Sequence, residues 1–193
     1  MRYALINQEM RLQDKLQTRN SYESCYFCKK KSMTDQQKII IKMALDPWNT
    51  NINRASQLFD SLSDEQLQEE VAPGRNSGTY LLGHLTAVHD ALFPLLGFGE
   101  KFYPQLEDIF IKNSDKSGIE KPITKDIRNY WSVVNSKLSL HFNQLTFDEW
   151  FQKHTSVSEE DFGKEPHRNK LNVLLNRTNH LVYHLGQLAF LKK

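Results

Sequence analysis

The sequence predicts an all-α fold, and three observations carry that reading. Apolar residues recur at helical spacing through four long segments, and no stretch alternates with the two-residue period of a half-buried strand. Each segment also opens near a Thr, Asn or Ser suited to a helix N-cap. No internal repeat and no Gly-rich phosphate-binding motif interrupts the pattern.

The first segment runs from Thr34 to Leu62, with Ile40, Leu45, Ile52, Ala55, Leu58, Phe59 and Leu62 at helical spacing. Asp46-Pro47 is expected to bend or restart it, because Pro lacks an N–H and suits a first helical position. Ser63-x-x-Gln66 reads as a capping box for a short turn that Ala72-Pro73-Gly74 ends. Asn76 or Ser77 then caps a second long helix, SGTYLLGHLTAVHDALFPLL, stopping near Gly97-Phe98-Gly99. Its stripe holds Tyr80, Leu81, His84, Leu85, Val88 and Leu92.

Residues 100–123 read as a long connection containing an amphipathic piece, QLEDIFI, and the polar turn NSDKSG. A 20-residue helix is about 30 Å long, and a connection of this length can cross a bundle to start the next helix at the same end. Thr124 opens the third long helix through about Leu145, with Ile127, Trp131, Val134, Leu138 and Phe142 read as core. Thr146-x-x-Glu149 is another cap, SVSEEDFGKEPHRN reads as a polar, mobile loop, and Asn169 caps the last helix. The expected apolar stripe of that helix is Leu171, Leu174, Leu175, Leu181, Val182, Leu185 and Ala189.

At 193 residues the chain has room for one domain with a substantial core, and no run approaches the ~20 apolar residues of a membrane span. The formal charge of +2 hides an asymmetry. Residues 1–32 hold seven Lys/Arg against three Asp/Glu, leaving 18 basic and 20 acidic residues in 33–193. A nucleic-acid binder concentrates positive charge on its folded part, so DNA or RNA binding is not expected. Cys25 and Cys28 form a lone Cys-x2-Cys, half of a structural zinc site without a second half nearby. No disulfide framework and no secretory h-region is present, so a cytoplasmic location is the default. Residues 1–32 read as a poorly structured N-terminal extension, with the functional domain expected to span 33–193 from Met33.

The chemistry concentrates in His180 and His184. Four residues along a helix turn by roughly 400° and climb about 6 Å, so both imidazoles leave one side and can reach one ion. The spacing alone also suits two solvated histidines. Both sit roughly 120–160° from the centre of the expected apolar stripe, where core packing does not call for them, with Val173 and Leu191 on their ridge as walls of a groove. Open zinc-type sites take three protein ligands, and His84 is the candidate for the third. A lone histidine in an apolar stripe is ordinarily a core residue with satisfied ring nitrogens. His89 is turned by about 140° from His84 and is read as a flanking residue. His141, His154 and His167 read as surface residues. Gln187 reads first as a surface glutamine and second as a group orienting a ligand or bound water. Asn179 and Tyr183 project to other sides of the helix, and no general base is identified.

His180-x3-His184-x-Gly186-Gln187, together with the Gly83-His84-Leu85 step and the LSDEQL segment before the loop, resembles the DinB/YfiT-like superfamily over roughly residues 34–193. The resemblance implies a four-helix bundle with a long crossover between helices 2 and 3. It also implies a divalent metal held by His84, His180 and His184, the three residues that helix geometry selects. Zinc or nickel is the first expectation, with iron, manganese or copper as alternatives. Some relatives transfer thiols such as bacillithiol, mycothiol or glutathione, one branch is a maleylpyruvate isomerase, and members commonly dimerise. The expected function is therefore a metal-dependent transferase that activates a low-molecular-weight thiol. A metal-dependent hydrolase and a non-catalytic metal-binding or interaction bundle stand as alternatives. The expected partners are a small-molecule substrate and a second copy of the chain.

Overall fold

A computed structural model describes residues 33–192. The N-terminal extension and the Cys25/Cys28 pair lie outside the described residues. Helix α1 spans Asp35–Ser61 and opens on a capping box: Thr34 Oγ accepts from Gln37 N, and Gln37 Oε1 accepts from Thr34 N. Pro47 does not restart it. The ring lies on the exposed side, so the bond it removes faces solvent, while Ile41, Ala44, Trp48, Ala55 and Phe59 hold the opposite side in the core. Ile40 and Met43, by contrast, are exposed.

Helix α2 (Asp64–Gln68) carries the Ser63/Gln66 capping box, and Gln66 Nε2 donates to Leu191 O at the far end of the chain. The turn that follows closes on Gly74, whose φ of +76° suits glycine. Helix α3 (Gly78–Asp90) is capped by Ser77 and buried on nearly every side, as its apolar sequence requires. It gives way to α4 (Leu92–Leu96). Pro94 has no N–H to donate to Asp90 O, and the left-handed Gly97 ends the run with Phe98 N donating to Phe93 O. Asp90, 1% exposed, accepts from Phe102 N and Tyr103 N at 2.9 and 2.8 Å and so anchors the start of the connection.

Within the connection, α5 (Gln105–Glu107) runs straight into a π-helical turn at Asp108–Lys112, which seats Leu106 and Phe110 against α3. Helix α6 (Thr124–Gln144) buries Ile127, Trp131, Val134, Leu138 and Phe142, as expected. Its Arg128 donates to Phe59 O and Leu62 O, closing the C-terminus of α1 with a cation. The Thr146/Glu149 box starts α7 (Phe147–Trp150). The segment expected to be a structureless loop contains a further helix, α8 (Glu159–Lys164), stabilised by Ser158 accepting from Asp161 N and by three acidic residues in its first turn. Asn169 caps α9 (Lys170–Leu188), which ends in a 3₁₀ turn at Ala189–Leu191.

Helix α3 packs chiefly on α6 and also meets α9, while α9 packs along α1. The face that α9 turns inward overlaps only in part with the one its sequence predicts. Leu171, Val173, Leu174, Thr178, Leu181, His184 and Leu188 are buried, whereas Leu175, Val182 and Ala189 face outward. Val173 and Leu191, expected on a groove wall, are buried core residues. Among the described residues, no helix is long and apolar enough to cross a membrane.

Candidate metal centre

The site begins at Gly83. A Cβ there would run into the Phe110 ring, so glycine lets the π-helical turn lie directly on α3. With the ring seated, Phe110 O lies 2.8 Å from His84 Nδ1. This carbonyl falls in the last turn of its segment, where helices leave carbonyls without a helical donor, and the imidazole fills that role. The Tyr80 ring stacks over His84 with an interplanar angle of 8°, which restricts the imidazole further.

From α9, His184 Nδ1 lies 2.8 Å from Gln187 Oε1. Both acceptors are carbonyl oxygens, so Nδ1 of His84 and of His184 carries the proton and Nε2 presents its lone pair. These atoms point to one place. His84 Nε2 is 3.3 Å from His180 Nε2, which is 3.1 Å from His184 Nε2. The three rings stand edge-on to one another at interplanar angles of 64°, 74° and 85°. One ligand atom from each of the three residues lies within 4.8 Å of the others, and no Asp, Glu or Cys joins the cluster among the described residues.

Burial drives the electrostatics. Desolvation lowers the pKa of all three histidines; the neighbouring imidazoles lower His180 and His184 further, taking His180 to about 4, while Arg177 adds to the lowering of His84 and His180. His180 Nδ1 is buried without a hydrogen-bond partner, so in the absence of an ion its Nε2 can carry the proton and donate to His84 or His184, and with an ion all three Nε2 atoms can present lone pairs. Nitrogens about 2.0–2.1 Å from a tetrahedral ion sit about 3.3–3.4 Å apart, so the observed separations suit a divalent metal.

A family model described as the DinB superfamily matches residues 48–188. The chain belongs to the DinB superfamily. No curated protein matches it. The DinB assignment and the cluster concern the same helices: the match covers α3 and α9, which supply all three imidazoles.

The other histidines of this DinB chain go elsewhere. His89 is fully buried between Trp48 and Trp131, with Nδ1 2.8 Å from Asn135 Oδ1. His141, expected at the surface, is half-buried and stacks on Phe98 at 4.6 Å, because α4 and its exit loop fold back over α6. His154 is likewise half-buried, and His167 is exposed as expected. Gln187 is no idle surface group, since it holds His184. Its i+3 spacing was the available sequence signal. Phe110 acts through its backbone, which no side-chain pattern reveals.

Proposed function

We propose that His84, His180 and His184 hold one divalent metal ion through Nε2, zinc or nickel in the first instance, and that this DinB protein is a metal-dependent enzyme activating a small thiol. The observation that supports the reading is the convergence of three neutral imidazoles, which no further His, Cys, Asp or Glu joins among the described residues. Three-ligand sites leave a coordination position for substrate. Bound by uncharged ligands, the ion keeps its full charge and favours the anionic form of a thiol or water in that position.

The chain's own residues set the geometry. Phe110 O and Gln187 Oε1 fix the tautomer and direction of two rings. Tyr80 limits the swing of the first. A thiol ionises near pH 8.5 and free water near 15.7, so a thiol needs no local base, which suits a cluster that no carboxylate joins among the described residues. A purely structural ion is the competing reading. The rings are already held by a carbonyl, an amide and the core, which favours a site that does not depend on metal for its shape.

The test is elemental analysis of untagged protein, wild type against His84→Ala. Near-stoichiometric metal that the variant lacks supports the site and leads to a screen of thiols against electrophiles. Wild-type protein that takes up no zinc, nickel or manganese rejects it.

A further inference from the structure

The end of α4, the loop from α7 to α8, α8 itself and the start of α9 surround a cleft of about 370 Å³, lined by Lys153, His154, Thr155, Glu159, Phe162 and Lys170 among others. Its frame is fixed. Thr155 N donates to Leu95 O and Thr155 Oγ1 to Pro94 O, each at 3.0 Å, which ties the loop to the last turn of α4, and Lys170 N donates to Gln152 O at 3.0 Å from the start of α9. The volume falls in the lower part of the range for small-molecule sites, about 300–1,000 Å³. Lys170 and His180 stand ten residues apart on α9, about 15 Å along its axis, so the cleft is separate from the metal centre.

Three nitrogen-bearing side chains line the cleft against one carboxylate. That carboxylate, Glu159, is 85% exposed and lies 3.4 Å from Lys153 Nζ, which also donates to Val157 O. Lys170 is half-buried with Nζ 6.0 Å from the centre of the Phe98 ring, and among the described residues no oxygen accepts from it. His154 is half-buried too, and its Nδ1 is enclosed without a hydrogen-bond partner. Orphaned buried N–H groups are rare in folded proteins, so the neutral ring carries its proton on Nε2, the nitrogen left to a ligand. Burial, Arg168 and Lys153 all lower the pKa of His154, which marks its surroundings as short of negative charge.

We infer that this cleft is a second ligand site, taking a small organic anion whose carboxylate or phosphate is held by Lys170 Nζ and His154 Nε2. The body of the ligand lies against Phe162 and the lysine stems, which makes it apolar. Neither anchoring group belongs to the metal centre, so the site stands without the metal reading.

Calorimetric titration of the full chain at pH 7 with benzoate, phenyl phosphate and, as the uncharged control, benzyl alcohol tests the site. Wild type should bind one of the two anions about tenfold or more tighter than benzyl alcohol, and the tighter anion names the oxyanion recognised. Lys170→Gln and His154→Leu should each weaken that anion about fivefold or more, with melting temperatures close to wild type; if His154→Leu does not fold, Lys170→Gln decides. Protein treated with EDTA should bind as the untreated protein does. No anion binding by wild type, equal affinity for benzyl alcohol, or wild-type affinity in Lys170→Gln overturns the inference. Binding that EDTA abolishes and Lys170→Gln retains would put the anion at the histidine cluster and overturn it likewise.

Discussion

His84 Nδ1 and Phe110 O meet at 2.8 Å, joining a helix buried on nearly every side to a π-helical turn in the long connection. The contact depends on Gly83, the neighbour of the histidine it orients. Gly83→Ala should push the Phe110 ring away, cost about 1–3 kcal/mol of stability as an overpacked core position, and weaken metal binding about 10–100-fold. Thermal unfolding and a competitive chelator titration on one preparation check both parts. Unchanged metal affinity would mean the carbonyl does not govern the ring.

Gln187 provides a milder version of the same test. Its amide is partly exposed and serves His184, so Gln187→Ala should leave the melting temperature nearly unchanged while lowering metal affinity about tenfold. Chelator competition measures the second effect, and an affinity equal to wild type would return Gln187 to the surface.

His180→Ala and His184→Ala should each lose most of the bound metal, whereas His89→Ala should keep it. His89 faces Asn135 and two tryptophans on the far side of α3 from the cluster. Elemental analysis of the three variants decides, and metal loss from His89→Ala would mean a different ligand set.

His89 also predicts a pH dependence. Burial lowers its pKa to about 3, opposed by the Asn135 bond and reinforced by His180, Arg177 and His84, against about 6.5 in an unfolded chain. Above pH 6.5 neither state holds the proton. As pH falls from 6.5 toward 3 the unfolded chain takes it up and the folded one does not, so stability declines by up to about 1.4 kcal/mol per pH unit. Urea unfolding of metal-free wild type and His89→Gln at pH 7 and pH 5 isolates this contribution, because the other histidines are common to both. The variant should lose less stability between the two pH values; parallel losses would show that His89 is protonated in the fold.

Chelation should leave helicity intact and lower the melting temperature only modestly, because Phe110, Gln187 and the surrounding core hold the rings without an ion. Circular dichroism before and after EDTA is the measurement, and collapse of the helical signal would assign the metal a structural role.

What the sequence by itself determined is local. Ser63, Thr146 and Asn169 each accept from a backbone N–H three residues on, as expected, and so do Thr34 and, of the two candidates Asn76 and Ser77, Ser77, because a cap involves only one turn of chain. The His180/His184 pair was legible for the same reason, since helix pitch alone brings the two rings together. Tertiary structure decided the rest. Apolar residues lie round most of α9, and the stripe its sequence favoured, from Leu174 and Leu181 through Leu171 and Leu185 to Leu175 and Val182, is right at one edge only. Packing against α1 and α3 keeps Leu171, Leu174 and Leu181 inside, turns Leu175 and Val182 outward and brings His184 in. His84 meets His180 from 96 positions away, and the acceptor for its other nitrogen is a backbone carbonyl, identical in every residue and positioned solely by the fold.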